Sequence, residues 1–113
     1  VGYGEKPTKK GVIIMDTPGF DIASVTGKVA GGAQIVLFTT GKGTPTGSPI
    51  APVLKISSNN QTFRKLREDI DMSAGDVLVG TKSLKQVGKE IVDMVIKTAS
   101  EIGVFTYTRI LNP

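Results

Sequence analysis

Two short apolar runs constrain this chain more than any other feature. Gly11-Val12-Ile13-Ile14-Met15 and Gln34-Ile35-Val36-Leu37-Phe38-Thr39 are too short for ordinary helices and rich in β-branched residues. Both therefore read as buried strands. Between them, Ile22, Val25 and Val29 fall at i, i+3 and i+7, the spacing of one helical face. Asp21 is a suitable N-cap for that helix, and Gly31-Gly32 closes it. A strand, a helix and a strand within roughly thirty residues predict a βαβ unit, hence a parallel pair with a right-handed crossover.

The alternation continues downstream. Residues 40–52 are punctuated by glycine and proline and read as a long loop, which at this length is usually functional or disordered. Val53-Leu54-Lys55-Ile56-Ser57 predicts a third strand, with Lys55 suited to a sheet edge. Asn59 or Asn60 then caps a short helix carrying Phe63, Leu66 and Ile70 on one face. After the turn Ser73-Ala74-Gly75, Asp76-Val77-Leu78-Val79 predicts a fourth, short strand. Ser83 and Gln86 form a capping-box pattern that opens the best helix of the chain. Leu84, Val87, Ile91, Met94, Val95 and Ile102 line its apolar stripe, and Gly103 ends it. Residues 104–110 alternate and predict a closing strand. The expected fold is α/β: a three-layer, Rossmann-like sandwich with a mainly parallel sheet. We expect a single domain over residues 11–113, preceded by a polar, basic linker arm at residues 1–10.

Composition narrows the chemistry. The 113 residues fit one compact domain, with 39% hydrophobic and 21% charged residues. No apolar run approaches the roughly 20 residues of a membrane span. There is no cysteine, which excludes disulfides and thiolate metal sites and makes a cytoplasmic location the expectation. There is no histidine, the commonest general base and metal ligand. We therefore expect no metal to be held by this chain alone. A net charge of +4 suits small anions. The basic residues are dispersed and aromatics are only 5%, so no stacking platform for nucleic acid is expected. Val1 in place of an initiator Met leads us to expect a piece of something longer.

The two strand ends carry the residues with most chemical content. Asp16-Thr17-Pro18-Gly19 is similar to the Asp-x-x-Gly turn of P-loop GTPases, but no Walker loop accompanies it. Gly41-Lys42 would need Gly at position 36 and Ser or Thr at 43, where Val36 and Gly43 stand. The dinucleotide fingerprint fails too, because Gly47 follows Gly41-Lys42-Gly43 one residue too late. In open α/β sheets, ligands bind beyond the carboxyl ends of the strands. Glycines there allow close approach, exposed amides bind anions, and hydroxyls bind polyols or carboxylates. The bland alternative is that Gly and Pro only shape tight turns and Asp16 only caps a helix. Asp69, Asp71 and Asp76 match no calcium loop and read as solvated turn residues.

Several of these segments resemble one family. Met15-Asp16-Thr17-Pro18-Gly19-Phe20-Asp21, Ser24-Val25-Thr26-Gly27-Lys28-Val29-Ala30-Gly31-Gly32-Ala33 and Phe38-Thr39-Thr40-Gly41-Lys42-Gly43 occur in the order and spacing of altronate/galactarate dehydratase C-terminal domains. Tyr3-Gly4-Glu5-Lys6-Pro7-Thr8 resembles the approach to that domain, and Pro52-Val53-Leu54-Lys55-Ile56 the segment after the glycine loop. The resemblance implies part of a carbon–oxygen lyase that dehydrates a sugar acid, with the isolated chain inactive. It implies substrate-binding donors from Thr17, Gly19, Thr39, Thr40, Gly41 and Gly43, and Asp16 and Lys42 as catalytic candidates. It implies a divalent metal, such as iron, in the full enzyme, held by groups outside this chain. The expected partners are a small carboxylate substrate and upstream domains or a companion subunit; a homo-oligomer stays open. The alternative is a non-catalytic sugar-acid- or anion-binding module, or a structural module, of a multidomain enzyme.

Overall fold

The computed structural model describes residues 1–101. Its elements run α1 (Asp21–Ala30), β1 (Val36–Thr40), β2 (Val53–Ser57), α2 (Asn60–Lys65), β3 (Met72–Ser73), α3 (Gly75–Val79) and α4 (Leu84–Ser100). The three strands form one parallel sheet in the order β1-β2-β3. The fold is α/β, as the alternation of elements predicts.

The sheet is held where α1 lies on it. Val25 of α1 packs with Val36 and Val53, the first residues of β1 and β2, and Val29, Ala33 and Phe38 surround them. Each fully buried side chain of this kind stabilises by roughly 1.5–3 kcal/mol. β1 alternates, with Val36 buried and Leu37 and Thr39 exposed, as expected of a strand covered on one side. Every residue of β2 is buried, as expected of a central strand in a parallel sheet.

β2 corrects the reading of Lys55. The lysine stands in the middle strand at 4% exposure, not at an edge. The short strand β3 pairs on the far side of β2 and makes β2 central. Asp71, just before β3, clamps the register. Its Oδ2 accepts from the Lys55 N–H at 2.7 Å, and its own N–H donates to the Lys55 carbonyl at 2.9 Å. Asp71 is thus half-buried and structural rather than a solvated turn residue.

Residues 11–15 are not a strand of the sheet. A strand needs a neighbour for its alternate backbone groups. Among the described residues their backbone partner is Val1, whose N donates to the Ile14 carbonyl at 2.8 Å and whose carbonyl accepts from the Asp16 N–H at 3.0 Å. Val12 and Ile14 are 96% and 82% exposed. Met15 and Tyr3 instead turn toward α1. The Tyr3 hydroxyl donates to the Ala23 carbonyl at 2.7 Å, and its ring lies against Gly27, where a Cβ would overlap it. The N-cap of α1 is Phe20 rather than Asp21, because Asp21 already has helical backbone and its carboxylate is held by Thr44.

Residues 76–79 are also not a strand. They belong to α3, which starts immediately beyond β3 because the Ala74 N–H donates to the Ser57 carbonyl at 2.8 Å and turns the chain. β-branched residues tolerate one helical turn when tertiary bonds demand it. Gly80, at φ 80°, ends α3. The capping box is present: the Gln86 N–H donates to Ser83 Oγ at 3.1 Å, and the Ser83 N–H to Gln86 Oε1 at 2.8 Å. Val87 and Thr98 are the buried positions of α4, whereas Leu84, the first residue of the helix, is exposed although it shares their face. Ile102, Gly103 and the closing strand expected at 104–110 lie outside the described residues.

Candidate functional site

Parallel strands bring their carboxyl ends to one edge of the sheet, so Thr40, Ser57 and Ser73 finish on the same side. The loop after β1 is fastened there at several points. The Gly43 N–H donates to Thr40 Oγ1 at 2.9 Å. The Gly41 carbonyl accepts from Asn59 Nδ2 at 3.1 Å and from Thr62 Oγ1 at 2.9 Å. Asn59 also caps α2, its Oδ1 accepting from the Thr62 N–H at 2.7 Å. Gly43 has φ +93°, and a Cβ there would overlap Leu66. Only glycine meets both conditions.

The acidic turn reaches the same end. The Thr44 hydroxyl donates to Asp21 Oδ2 at 2.9 Å, tying the loop to the first turn of α1. Thr17 Oγ1 lies 3.2 Å from Ser24 Oγ, which also accepts from Lys28 Nζ. The structure thus brings the segments around Asp16 and Gly41 together through their neighbours, Thr17, Asp21 and Thr44. Thr17, Thr40 and Gly43 are half-buried; Asp16, Gly19, Thr39, Gly41 and Lys42 are exposed. The Asp16 amide is engaged by Val1.

Sequence reasoning missed a second polar group at this edge. Asn60 Nδ2 donates to Asp76 Oδ1 at 2.8 Å, and Asn60 Oδ1 accepts from Ser73 Oγ at 2.7 Å. Lys82 Nζ stands 3.7 Å from Asp76 and 2.8 Å from Glu90. The Asn60 hydrogen bond, with help from Thr81 and Lys82, holds the Asp76 carboxyl below its ordinary range against the opposing cost of burial. The Glu90 hydrogen bond chiefly raises the Lys82 ammonium. The signal was the doubled Asn59-Asn60: one asparagine caps α2, which frees the other to reach β3.

Among the described residues, two hollows flank α1. One, of about 220 Å³, lies between α1 and β1 and is lined by Ser24, Val25, Lys28 and Val36 to Thr39. The other, of about 480 Å³, is mainly apolar and is walled by Ile13, Met15, Lys28 and the glycines after α1. Lys28 belongs to both. The arrangement offers hydroxyls, backbone amides and ammonium groups, a set suited to small hydroxylated anions. Among the described residues no group of three His, Cys, Asp or Glu side chains converges as a metal site. No described helix is long and apolar enough to cross a membrane.

The sequence profile of the D-galactarate/altronate dehydratase C-terminal region matches residues 1–106. Similar proteins include the galactarate dehydratase (L-threo-forming) of Escherichia coli, 33% identical over 97 residues, covering 86% of this chain and 18% of that protein. The altronate dehydratase of Bacillus subtilis is 35% identical over 98 residues, covering 87% of this chain and 20% of that protein. The (2R)-sulfolactate sulfo-lyase subunit beta of Chromohalobacter salexigens is 34% identical over 96 residues, covering 85% and 25%. The chain therefore spans a quarter or less of the length of these relatives. With three parallel strand tips at one edge and a profile match over nearly its whole length, this chain belongs to the D-galactarate/altronate dehydratase family, as its C-terminal domain.

Proposed function

We propose that this domain supplies substrate-binding loops to a carbon–oxygen lyase that dehydrates a sugar acid of the galactarate or altronate type. The observation that carries this is the Asp21–Thr44 hydrogen bond. It holds the acidic turn and the glycine loop at one sheet edge, where α/β folds take their ligands. Residues 11–113 act as the domain and residues 1–10 as its approach.

Dehydration removes a proton beside the carboxylate and expels the β-hydroxyl. The developing charge on the carboxylate calls for preorganised donors. Thr17, Gly19, Thr39, Thr40, Gly41 and Gly43 are the donors we assign to substrate. Asp16 and Lys42 are the exposed charges nearest in sequence to the bonds that fasten these loops, and we assign them roles in binding or proton handling. The residues described here do not fit a catalytic metal. Any divalent ion, iron included, is held by groups outside this chain, which come from upstream domains or a companion subunit. The absence of cysteine favours the cytoplasm as the place of work.

The test is an assay of the assembled enzyme, with its remaining domains, on galactarate, altronate and sulfolactate. Turnover of one hydroxy acid that drops about tenfold or more in Asp16→Asn or Lys42→Met supports the assignment. Full turnover in both variants removes the two candidates, and no turnover of any of the three acids removes the proposed activity.

A further inference from the structure

We propose that the hollow between α1 and the open edge of β1 takes the carboxylate end of a small hydroxy acid, with Lys28 as its counter-charge. This rests on the dehydratase-domain reading and names where within the domain the acid lies.

Among the described residues, β1 is an edge strand. Its Val36 N–H donates to the Pro52 carbonyl, and its Thr40 carbonyl accepts from the Ser58 N–H, both at 3.0 Å. Alternate residues of a parallel strand address one neighbour. Val36, Phe38 and Thr40 therefore face β2, while Leu37 and Thr39 turn their amides and carbonyls to the open edge. Among the described residues no strand occupies that edge. The hollow of about 220 Å³ runs along it. That is smaller than the roughly 300 Å³ at which drug-sized sites begin, so it suits a small metabolite rather than a nucleotide.

The lining decides the ligand's chemistry. None of the lining residues is acidic, and Lys28 is the charge among them. Lys28 Nζ donates to Ser24 Oγ, which lies 3.2 Å from Thr17 Oγ1. An ammonium carries three donors, and this bond uses one. Ammonium, amide and hydroxyl donors satisfy a carboxylate. The outward carbonyls of Leu37 and Thr39 need donors in return, which hydroxyls on the adjoining carbons provide and sulfate, which carries no proton at neutral pH, does not.

The experiment is an amide-resolved NMR titration of the 113-residue chain with galactarate and, separately, with sulfate. We expect saturable shifts at Ser24, Lys28, Leu37 and Thr39 with galactarate, and binding of sulfate at least about tenfold weaker. Lys28→Met should weaken galactarate by about tenfold, the usual scale for one charge-assisted contact, with an unchanged melting temperature. Lys97→Met on α4 should leave it unchanged. Galactarate shifts confined to Gly41, Gly43 and Asn59 would overturn the hollow but leave the dehydratase reading standing. Equal binding of sulfate, or indifference to Lys28→Met, overturns it as well. So does the lack of any saturable shift, and the broader reading is then decided separately by turnover in the assembled enzyme.

Discussion

The Thr44 hydroxyl donates to the Asp21 carboxylate at 2.9 Å, across 23 positions of sequence, and joins the loop after β1 to the first turn of α1. Thr44 is 4% exposed, and its oxygen also accepts from the Thr46 N–H at 3.2 Å. A buried hydroxyl with a charged acceptor contributes more than an ordinary hydrogen bond.

Thr44→Val keeps the shape and removes both roles. We expect a loss of about 1–3 kcal/mol in urea denaturation, and faster amide exchange at Gly43 and Thr46. Thr44→Ser should retain most of the stability. A valine variant as stable as the parent would show that the bond does not hold the loop.

Gly75→Ala sets two effects against each other. In a helix, alanine is favoured over glycine by about 0.8–1.0 kcal/mol. A Cβ at Gly75, however, would stand 2.6 Å from the Asn60 backbone nitrogen and 2.7 Å from its Oδ1. Backbone cannot yield as a flexible side chain does, so the clash should win, with a net destabilisation of about 1–3 kcal/mol. A raised melting temperature would mean that α3 is free to move away from Asn60.

Asp76 gives a pH signature. Its folded pKa is depressed, with the Asn60 hydrogen bond as the leading cause. A depressed carboxylate contributes stability that is present above its unfolded pKa, near 4, and lost as pH falls through the folded value. The parent should therefore lose more stability than Asp76→Asn as pH drops from about 5 to 2. Melting curves of the two proteins across that range make the comparison, and parallel curves would count against the bond.

Asn59 and Lys42 separate architecture from chemistry. Asn59→Ala removes the cap of α2 and a bond to the Gly41 carbonyl, and should cost about 1 kcal/mol of stability. Lys42→Met changes an exposed residue and should stay within about 0.5 kcal/mol. In the assembled enzyme we expect both to raise KM for the sugar acid. Lys42→Met with unaltered kinetics would confine the glycine loop's role to backbone donors.

Much of the architecture was legible because it depends on neighbours in sequence. The period of Val25 and Val29 marked α1, and the apolar run at Val53–Ser57 matched β2 residue for residue. Ser83 with Gln86 marked the start of α4. The errors share one cause. An apolar, β-branched run has the same appearance whether or not another strand lies beside it. Among the described residues, 11–15 pair with Val1 rather than with a strand, and residues 76–79 were turned into a helix by the bond from Ala74 to Ser57.

The candidate site divides in the same way. The motif residues Thr17, Thr40, Gly41 and Gly43 could be picked out by type and spacing, since glycines and hydroxyls after strands suit anions. Lys28, Ser24 and Asn60 could not. Their relevance depends on which face of α1 meets the open edge of β1, and on which asparagine remains free after α2 is capped. Local periodicity, caps and family motifs are written in the order of residues and were determined by sequence alone. Strand order, the central burial of Lys55 and the hollow beside Lys28 depend on contacts between distant segments, which only the packed tertiary structure decided.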